Sequence, residues 1–283
     1  MWKKNKYKIV CLGKEMLMIS IKNFYDNDIY FMKRIGNTII INNNYEGILI
    51  LDFELNIIKE EKLLDDLLIS DCFVNQDTKE IMLYAYENHC FVYLDTINNI
   101  KKIIPIQEEF EELFFLPLYE WKSDKLLLLA AAGGELICID VSEGIIKKVS
   151  GSITSAICGE GEFLSKHIVR KIDIYENIAV IEQGKEIKIV NLKTRQAEAS
   201  YSKYNNHFHD VEASKDFFAF ISESEIVIYN HEKCILKLTP IDNFCFLRGL
   251  FLIIHGVAYF YALSSCNADC RYCKVERHLL NTF

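Results

Sequence analysis

Three cysteines near the C-terminus offer the most definite chemistry in the chain, because they are spaced as Cys266-x-x-x-Cys270-x-x-Cys273. Three thiolates at this spacing can hold an iron–sulfur cluster and leave one iron open. They can also bind zinc if a fourth ligand, for which His278 is the candidate, joins them. A reduced tail without metal is the interpretation that we favour. If the motif is functional, the three sulfurs should converge on one point and residues 274–281 should form a short helix.

A second group with metal-ligand chemistry is the run His207-Phe208-His209-Asp210. On a strand, alternate side chains point to the same face, so His207 and His209 would lie side by side. Two imidazoles with a nearby carboxylate can bind a divalent metal. The spacing identifies no third ligand, and a structural role is therefore the competing interpretation.

The elements that must position these residues repeat along the chain. Five segments consist of an apolar run that ends in Asp or Asn and is followed by a polar turn: ILILD to Asp52, FVYLD to Asp95, LICID to Asp140, IKIVN to Asn191 and IVIYN to Asn230. The spacings between them are 43, 45, 51 and 39 residues. A period of this length, with several strands in each repeat, is typical of β-propeller blades.

The sequence thus predicts an all-β propeller of four-stranded blades, with six blades favoured and seven as the alternative. Third strands are expected at 48–52, 91–95, 136–140, 187–191 and 226–230, and residues 244–263 supply further strands. N-terminal strands at 7–12 and 15–21 are expected to close the last blade. The predicted domains are a propeller over 1–265 and a cysteine-containing tail over 266–283. Each recurring Asp or Asn is interpreted as an Asx-turn residue, since a regular place in every repeat argues against catalysis.

One repeat carries a family resemblance. Residues 209–230 place His209, Ser214, Asp216 and the terminal Tyr229-Asn230 in the order found in WD repeats. The chain therefore resembles WD-repeat proteins in architecture, although no repeat ends in Trp-Asp. The resemblance implies a structural role for His209.

The cysteine motif resembles the cluster loop of radical-SAM enzymes. Residues 257–273 contain an apolar strand, VAYFYALSS, followed by C-N-A-D-C-R-Y-C, which has the Asn and Tyr of that family's pattern. The resemblance implies that Cys266, Cys270 and Cys273 ligate a [4Fe–4S] cluster and that Tyr272 lies against the adenine of S-adenosylmethionine. Only residues 274–283 follow the motif here, whereas that family has a partial barrel after it. An accessory or remnant of such a system is the most that this resemblance implies.

Charge and hydropathy exclude other classes. The net charge of the 283 residues is −8, and nucleic-acid binding would require a basic stripe that is not present. The longest apolar stretch, 249–263, contains His255 and is too short to cross a bilayer, which takes about 18 residues or more. The N-terminus lacks the apolar run of a signal peptide. Seven of the ten cysteines are scattered through strand-like surroundings, which is typical of reduced thiols and predicts a cytoplasmic protein.

These observations favour a non-enzymatic scaffold or binding module for a protein or peptide, with no nucleic-acid or membrane partner. The alternatives are an accessory of an iron–sulfur system and an enzyme whose site lies in the propeller channel, where each blade contributes single residues that spacing cannot identify. The 151–176 insertion is expected to be a surface loop. In the acidic run 107–115, Phe110, Phe114 and Phe115 are expected to turn inward.

Overall fold

The computed structural model describes residues 18–75, 77–113, 115–123, 125–131, 135–150, 168–173, 177–203, 208–231, 233–241 and 243–280. Within these residues the chain forms strands and one short 3₁₀ turn, Glu108–Phe110. The strands make six four-stranded antiparallel sheets, which are the blades of a β-propeller. The predicted fold class and the favoured count of six blades are therefore confirmed.

The strands follow one another within five of the sheets. After β1 (Met18–Phe24), the first sheet contains β2 (Met32–Ile35), β3 (Thr38–Asn43), β4 (Gly47–Leu51) and β5 (Ile57–Lys62). The second contains β6 (Asp71–Asn75), β7 (Glu80–Ala85), β8 (Cys90–Asp95) and β9 (Ile100–Pro105), and the third β10 (Phe115–Ser123), β11 (Leu126–Ala131), β12 (Leu136–Asp140) and β13 (Ile145–Val149). The fourth contains β14 (Ile168–Asp173), β15 (Ile178–Gln183), β16 (Glu186–Asn191) and β17 (Ala197–Ser202), and the fifth β18 (Asp210–Ala213), β19 (Phe217–Ile221), β20 (Ile226–Asn230) and β21 (Lys233–Leu238).

The sixth sheet joins the first and the last strand of the described residues. It contains β22 (Phe244–Ile254), β23 (Val257–Cys266) and β24 (Asp269–Leu280), and its fourth strand is β1. Phe24 pairs with Cys273 and Ile21 with Glu276, so a strand near the N-terminus completes this sheet. It overlaps the end of the strand expected at 15–21, whereas the strand expected at 7–12 lies outside the described residues.

The segment from 266 onward differs from the expectation. Residues 269–280 form a central strand of the sixth sheet, with β23 on one side and β1 on the other, rather than a separate tail. The short helix over 274–281, which was expected if the cysteine motif is functional, does not form in residues 274–280, and residue 281 lies outside the described residues. Pairing on both sides engages the backbone N–H and C=O groups of this segment in the sheet, and none remain for intrahelical bonds.

Burial follows the position of each strand within its sheet. All residues of β4, β7 and β8 are buried, as expected for strands covered on both faces. The last strand of the first sheet, β5, alternates between exposed and half-buried residues. Continuous apolar runs therefore mark the interior of each blade, and the alternating runs that contain lysine mark its outer edge.

In the hairpin between the third and fourth strands of a sheet, the Asp or Asn side chain accepts hydrogen bonds from backbone N–H groups of the turn, as predicted. The Asp95 carboxylate accepts hydrogen bonds from the N–H groups of Ile97 and Asn98 at 3.1 and 2.9 Å. Asn191 accepts from Lys193 and Thr194 at 2.9 and 3.0 Å. Asp52 and Asp140 form equivalent turns, accepting from the N–H groups of Glu54 and Asn56 and from that of Glu143. The Asx-turn interpretation is confirmed at these four positions.

The chain's contacts divide it into two compact units, 1–44 with 48–60 and 203–283, and 45–47 with 61–202. In the first unit β22 contacts β2 and β18, and in the second β10 contacts β6 and β14, so first strands of neighbouring blades lie together. Each unit has its own apolar core. Tyr261, Leu263 and Val275 belong to the first core, and Phe73, Phe91 and Tyr93 belong to the second. In the described residues, no helix is long and apolar enough to cross a membrane.

Candidate functional site

The cysteine motif forms a hairpin and a bulge at one end of the sixth sheet. Cys266 is the last residue of β23 and pairs with Asp269 across a two-residue turn. The next pair is Ser265 with Cys273, so Cys270, Arg271 and Tyr272 are extra residues that bulge out of β24. The bulge thus separates the last two cysteines of the motif.

The three thiols lie in different environments. Cys270 is exposed, Cys266 is half-buried and Cys273 is fully buried. The Cys273 thiol donates a hydrogen bond to the Cys270 carbonyl oxygen at 3.2 Å and accepts one from the Ile29 N–H at 3.4 Å. Burial raises the pKa of the Cys273 thiol to about 11. This thiol is therefore protonated at neutral pH.

The predicted metal centre finds no support in this geometry. Among the described residues, no three His, Cys, Asp or Glu side chains are placed so that they could hold a metal ion. His278 lies five residues beyond Cys273 on β24, a separation of about 16 Å on an extended strand. The His278 ring is buried with its Nε2 3.4 Å from the Glu276 carboxylate. The described positions of these residues do not fit a [4Fe–4S] cluster or a zinc ion.

Tyr272 belongs to a surface aromatic cluster. Its ring stacks on Tyr25 at a centroid distance of 4.7 Å and meets Phe244 edge-on at 5.0 Å. Next to it, Arg271 pairs with Asp26 at 3.3 Å. Tyr25, which is 67% exposed, therefore lies against the bulge and next to an ion pair. The predicted contact of Tyr272 with a bound adenine has no independent support.

The two histidines of the second candidate group have different outcomes. His209 Nε2 lies 2.9 Å from the carbonyl oxygen of Leu247, and this bond connects the segment before β18 to β22. Its observed contact is structural, as the WD-repeat resemblance implies. His207 lies outside the described residues.

A buried polar network in the second unit was missed by the sequence analysis. Glu80, the first residue of β7, is 3% exposed, and its carboxylate accepts hydrogen bonds from the hydroxyl groups of Tyr93 at 2.6 Å and Thr78 at 2.5 Å. The Lys125 ammonium lies 3.3 Å from the same carboxylate and also contacts the Tyr93 hydroxyl. These residues come from the second and third sheets, and nothing in their spacing distinguishes them from surface charges.

A second surface missed by the sequence analysis surrounds the turn between β7 and β8. The turn, 86–89, contains Tyr86, which is 47% exposed, and His89, whose Nδ1 lies 3.8 Å from the Glu111 carboxylate. The acidic run next to it turns Phe110 and Phe115 inward as predicted, since both are buried, while Phe114 lies outside the described residues. The signal that could have indicated this surface is the absence of Lys and Arg from three acidic segments, 63–70, 86–89 and 106–113.

Comparison with known proteins identifies the fold and no more. No protein-family model matches the chain, and no curated protein matches it. A chain in a solved structure described as "Crystal Structure of Mitotic Checkpoint Complex" is similar over 100% of this chain and 98% of that one, with a TM-score of 0.59 and 9% sequence identity. The fold is a WD-repeat-like β-propeller. A second structure, "KlHsv2 with loop 6CD replaced by a Gly-Ser linker", is similar over 84% of this chain and 75% of that one, with a TM-score of 0.41 and 11% identity.

Proposed function

We propose that this chain is a non-enzymatic binding module that recognises a protein or peptide partner. The observation that carries the proposal is the exposure of aromatic rings on rigid strand ends and turns, Tyr25 at 67% and Tyr86 at 47%. Tyr side chains contribute a large contact area at low entropic cost, and they are enriched at the centre of protein interfaces. Support also comes from the chain of similar fold, whose solved structure is described as that of a complex.

The sheets offer what such a module needs. Each blade is held by its own ladders and by apolar contacts to its neighbours within a unit, so turns and loops can vary without disturbing the core. Tyr25 lies two residues before Asn27, whose side chain donates a hydrogen bond to that of Asn43 at 2.7 Å. The Tyr25 ring is stacked on Tyr272. A ring that is already ordered loses little entropy when a partner covers it.

We place the protein in the cytoplasm. All eight cysteines within the described residues are free, as expected in a reducing compartment. Fractionation of the source cell with an antibody to the chain tests this placement, and recovery in an oxidising compartment would refute it.

The test of the function is reconstitution. The purified chain is used to capture partners from the source cell after mild cross-linking, and each candidate is then purified and titrated against the chain by calorimetry. We expect one partner to bind saturably with fixed stoichiometry. Turnover of a substrate by the isolated chain, without any saturable protein partner, would refute the proposal.

A further inference from the structure

The turn 86–89 and the two segments beside it, 63–70 and 106–113, form one continuous surface, which we call the Tyr86 face. Hydrogen bonds connect its three parts: the Asn88 side chain accepts from the Leu68 N–H at 3.0 Å, and the His89 carbonyl accepts from the Ile106 N–H at 2.8 Å. The Tyr86 N–H donates to the Ser70 hydroxyl at 3.2 Å. All three parts belong to the second compact unit, so their mutual positions are fixed by direct contacts.

The Tyr86 ring stands on a rigid aromatic support. It meets the buried Tyr84 ring edge-on at 6.3 Å, and Tyr84 in turn stacks on Phe91 at 5.0 Å and contacts Phe115 at 5.1 Å. The aromatic cluster thus extends from the core to solvent and leaves Tyr86 half exposed at its outer end. An exposed ring held in this way is an anchor for a partner side chain rather than a freely rotating group.

Apart from His89, whose ring lies 6.4 Å from that of Tyr86, the ionisable side chains of charge-bearing residues in these three segments are carboxylates. The three segments contain Asp65, Asp66, Glu87, Glu108, Glu109, Glu111 and Glu112, and they contain no lysine or arginine. Asp65 approaches Lys62 at 4.0 Å, and Glu111 approaches His89. Within the described part of the chain, the other carboxylates of the Tyr86 face form no ion pair with Lys or Arg. An exposed aromatic ring that shares a surface with exposed carboxylates, which we call its acidic rim, is complementary to cations, because the ring face and the carboxylates both attract positive charge.

We propose that the Tyr86 face docks a lysine- and arginine-rich segment of the protein partner. This inference rests on the proposed function and specifies the chemistry of the partner. One basic side chain lies with its stem and charged group over the Tyr86 ring, and neighbouring basic residues pair with Glu109 and Glu112 at the rim. The exposed ring offers apolar surface that the partner buries on binding. The negative charge of the rim selects a partner with positive charge.

The test uses fluorescein-labelled peptides of fixed length that contain one aromatic residue and either four basic, four acidic or no charged residues. Anisotropy titrations at low and high salt measure binding to the whole chain. We expect only the basic peptide to bind, with an affinity that falls on addition of salt because the rim is exposed. Tyr86→Ala should weaken binding about tenfold or more, as loss of a central aromatic anchor does. The double variant Glu109→Lys/Glu112→Lys should weaken it about fivefold or more.

The matched control is Glu54→Lys/Glu223→Lys, which makes the same change in net charge at exposed positions that are not part of the Tyr86 face. We expect this control to retain most of the affinity. An equal loss in the control would show that the overall charge, and not this surface, attracts the peptide, and would overturn the inference.

The test also separates this inference from the proposed function. If a partner captured from the source cell binds the Tyr86→Ala and Glu109→Lys/Glu112→Lys variants as tightly as the original chain, the docking surface is refuted and the binding function stands. Circular dichroism of each variant checks that it keeps its strand content, so that a loss of binding is assigned to the surface.

Discussion

Replacing Lys125 should destabilise the protein far more than replacing a surface lysine nearby. The Glu80 carboxylate is 3% exposed, and Lys125 is its only cationic partner among the described residues. Removing one partner of a buried pair typically costs about 3–5 kcal/mol. The Lys125 side chain is 31% exposed, and the Tyr93 hydroxyl still solvates the carboxylate, so we expect a smaller loss for Lys125→Met, of about 2–3 kcal/mol.

The assay is equilibrium unfolding in urea at neutral pH, followed by far-UV circular dichroism, with linear extrapolation of the free energy of unfolding. Lys122→Met is the matched control. Lys122 pairs with Glu120 at 2.6 Å on the surface, where such pairs contribute about 0–1 kcal/mol. Glu80→Gln should cost only about 1 kcal/mol, because the amide oxygen can still accept from Tyr93 and the Lys125 ammonium can reach water.

The double variant Glu80→Gln/Lys125→Met provides the strictest test. With the charge of Glu80 removed, loss of Lys125 leaves no unpaired ion, so the double variant should be more stable than the sum of the single effects by about 1–2 kcal/mol. Additive effects, or equal stabilities of Lys125→Met and Lys122→Met, would refute the conclusion that this ammonium neutralises a buried carboxylate.

Three further predictions concern turns, packing and thiols. Asp95→Ala should lower the free energy of unfolding by about 1–2 kcal/mol at neutral pH. Burial alone would raise the pKa of Asp95, but the hydrogen bonds within its turn outweigh burial and lower this pKa in the folded protein. The stabilisation by the ionised carboxylate is therefore complete above the unfolded pKa of about 3.9, and it should disappear in a pH series of urea unfolding as the pH falls through the folded pKa. Gly47→Ala should destabilise the protein by about 3 kcal/mol or more in the same assay, because a Cβ at this position would lie 1.9 Å from a backbone oxygen. In Gly184→Ala the new Cβ meets no atom within 4 Å, so the free energy of unfolding should fall by only about 1 kcal/mol, owing to the positive φ of this residue. In iodoacetamide labelling at pH 8 followed by peptide mass spectrometry, Cys270 should react and Cys273 should stay unmodified until the chain unfolds. The reason is that burial excludes the reagent from Cys273 and raises the pKa of the Cys273 thiol. Rapid labelling of both cysteines would show that the bulge opens.

Much of the fold could be predicted from the sequence because a propeller repeats one local pattern. Apolar runs that are buried on both faces, a polar hairpin and an alternating outer strand are properties of neighbouring residues. Asp52, Asp95, Asp140 and Asn191 accept hydrogen bonds from amides two to four residues further along, and an interaction of this range is visible in the sequence. The period then gives the number of such units.

The candidate sites depended on contacts that a local pattern does not contain. The cysteine spacing indicated a loop, but the strand pairing of β24 with β1, more than 240 residues apart in sequence, placed Cys273 in the core and left Cys270 at the surface. Lys125 and Glu80, and likewise His89 and Glu111, meet only because successive strands and connections fold back on one another. By itself the sequence determined the third strand of five sheets, the turns at Asp52, Asp95, Asp140 and Asn191, and the sign of the total charge, since these follow from residue type and short-range spacing. Only the tertiary structure decided which charges are buried and paired and which carboxylates share a surface with an exposed ring, because burial and ion pairing are set by distances between residues far apart in the chain.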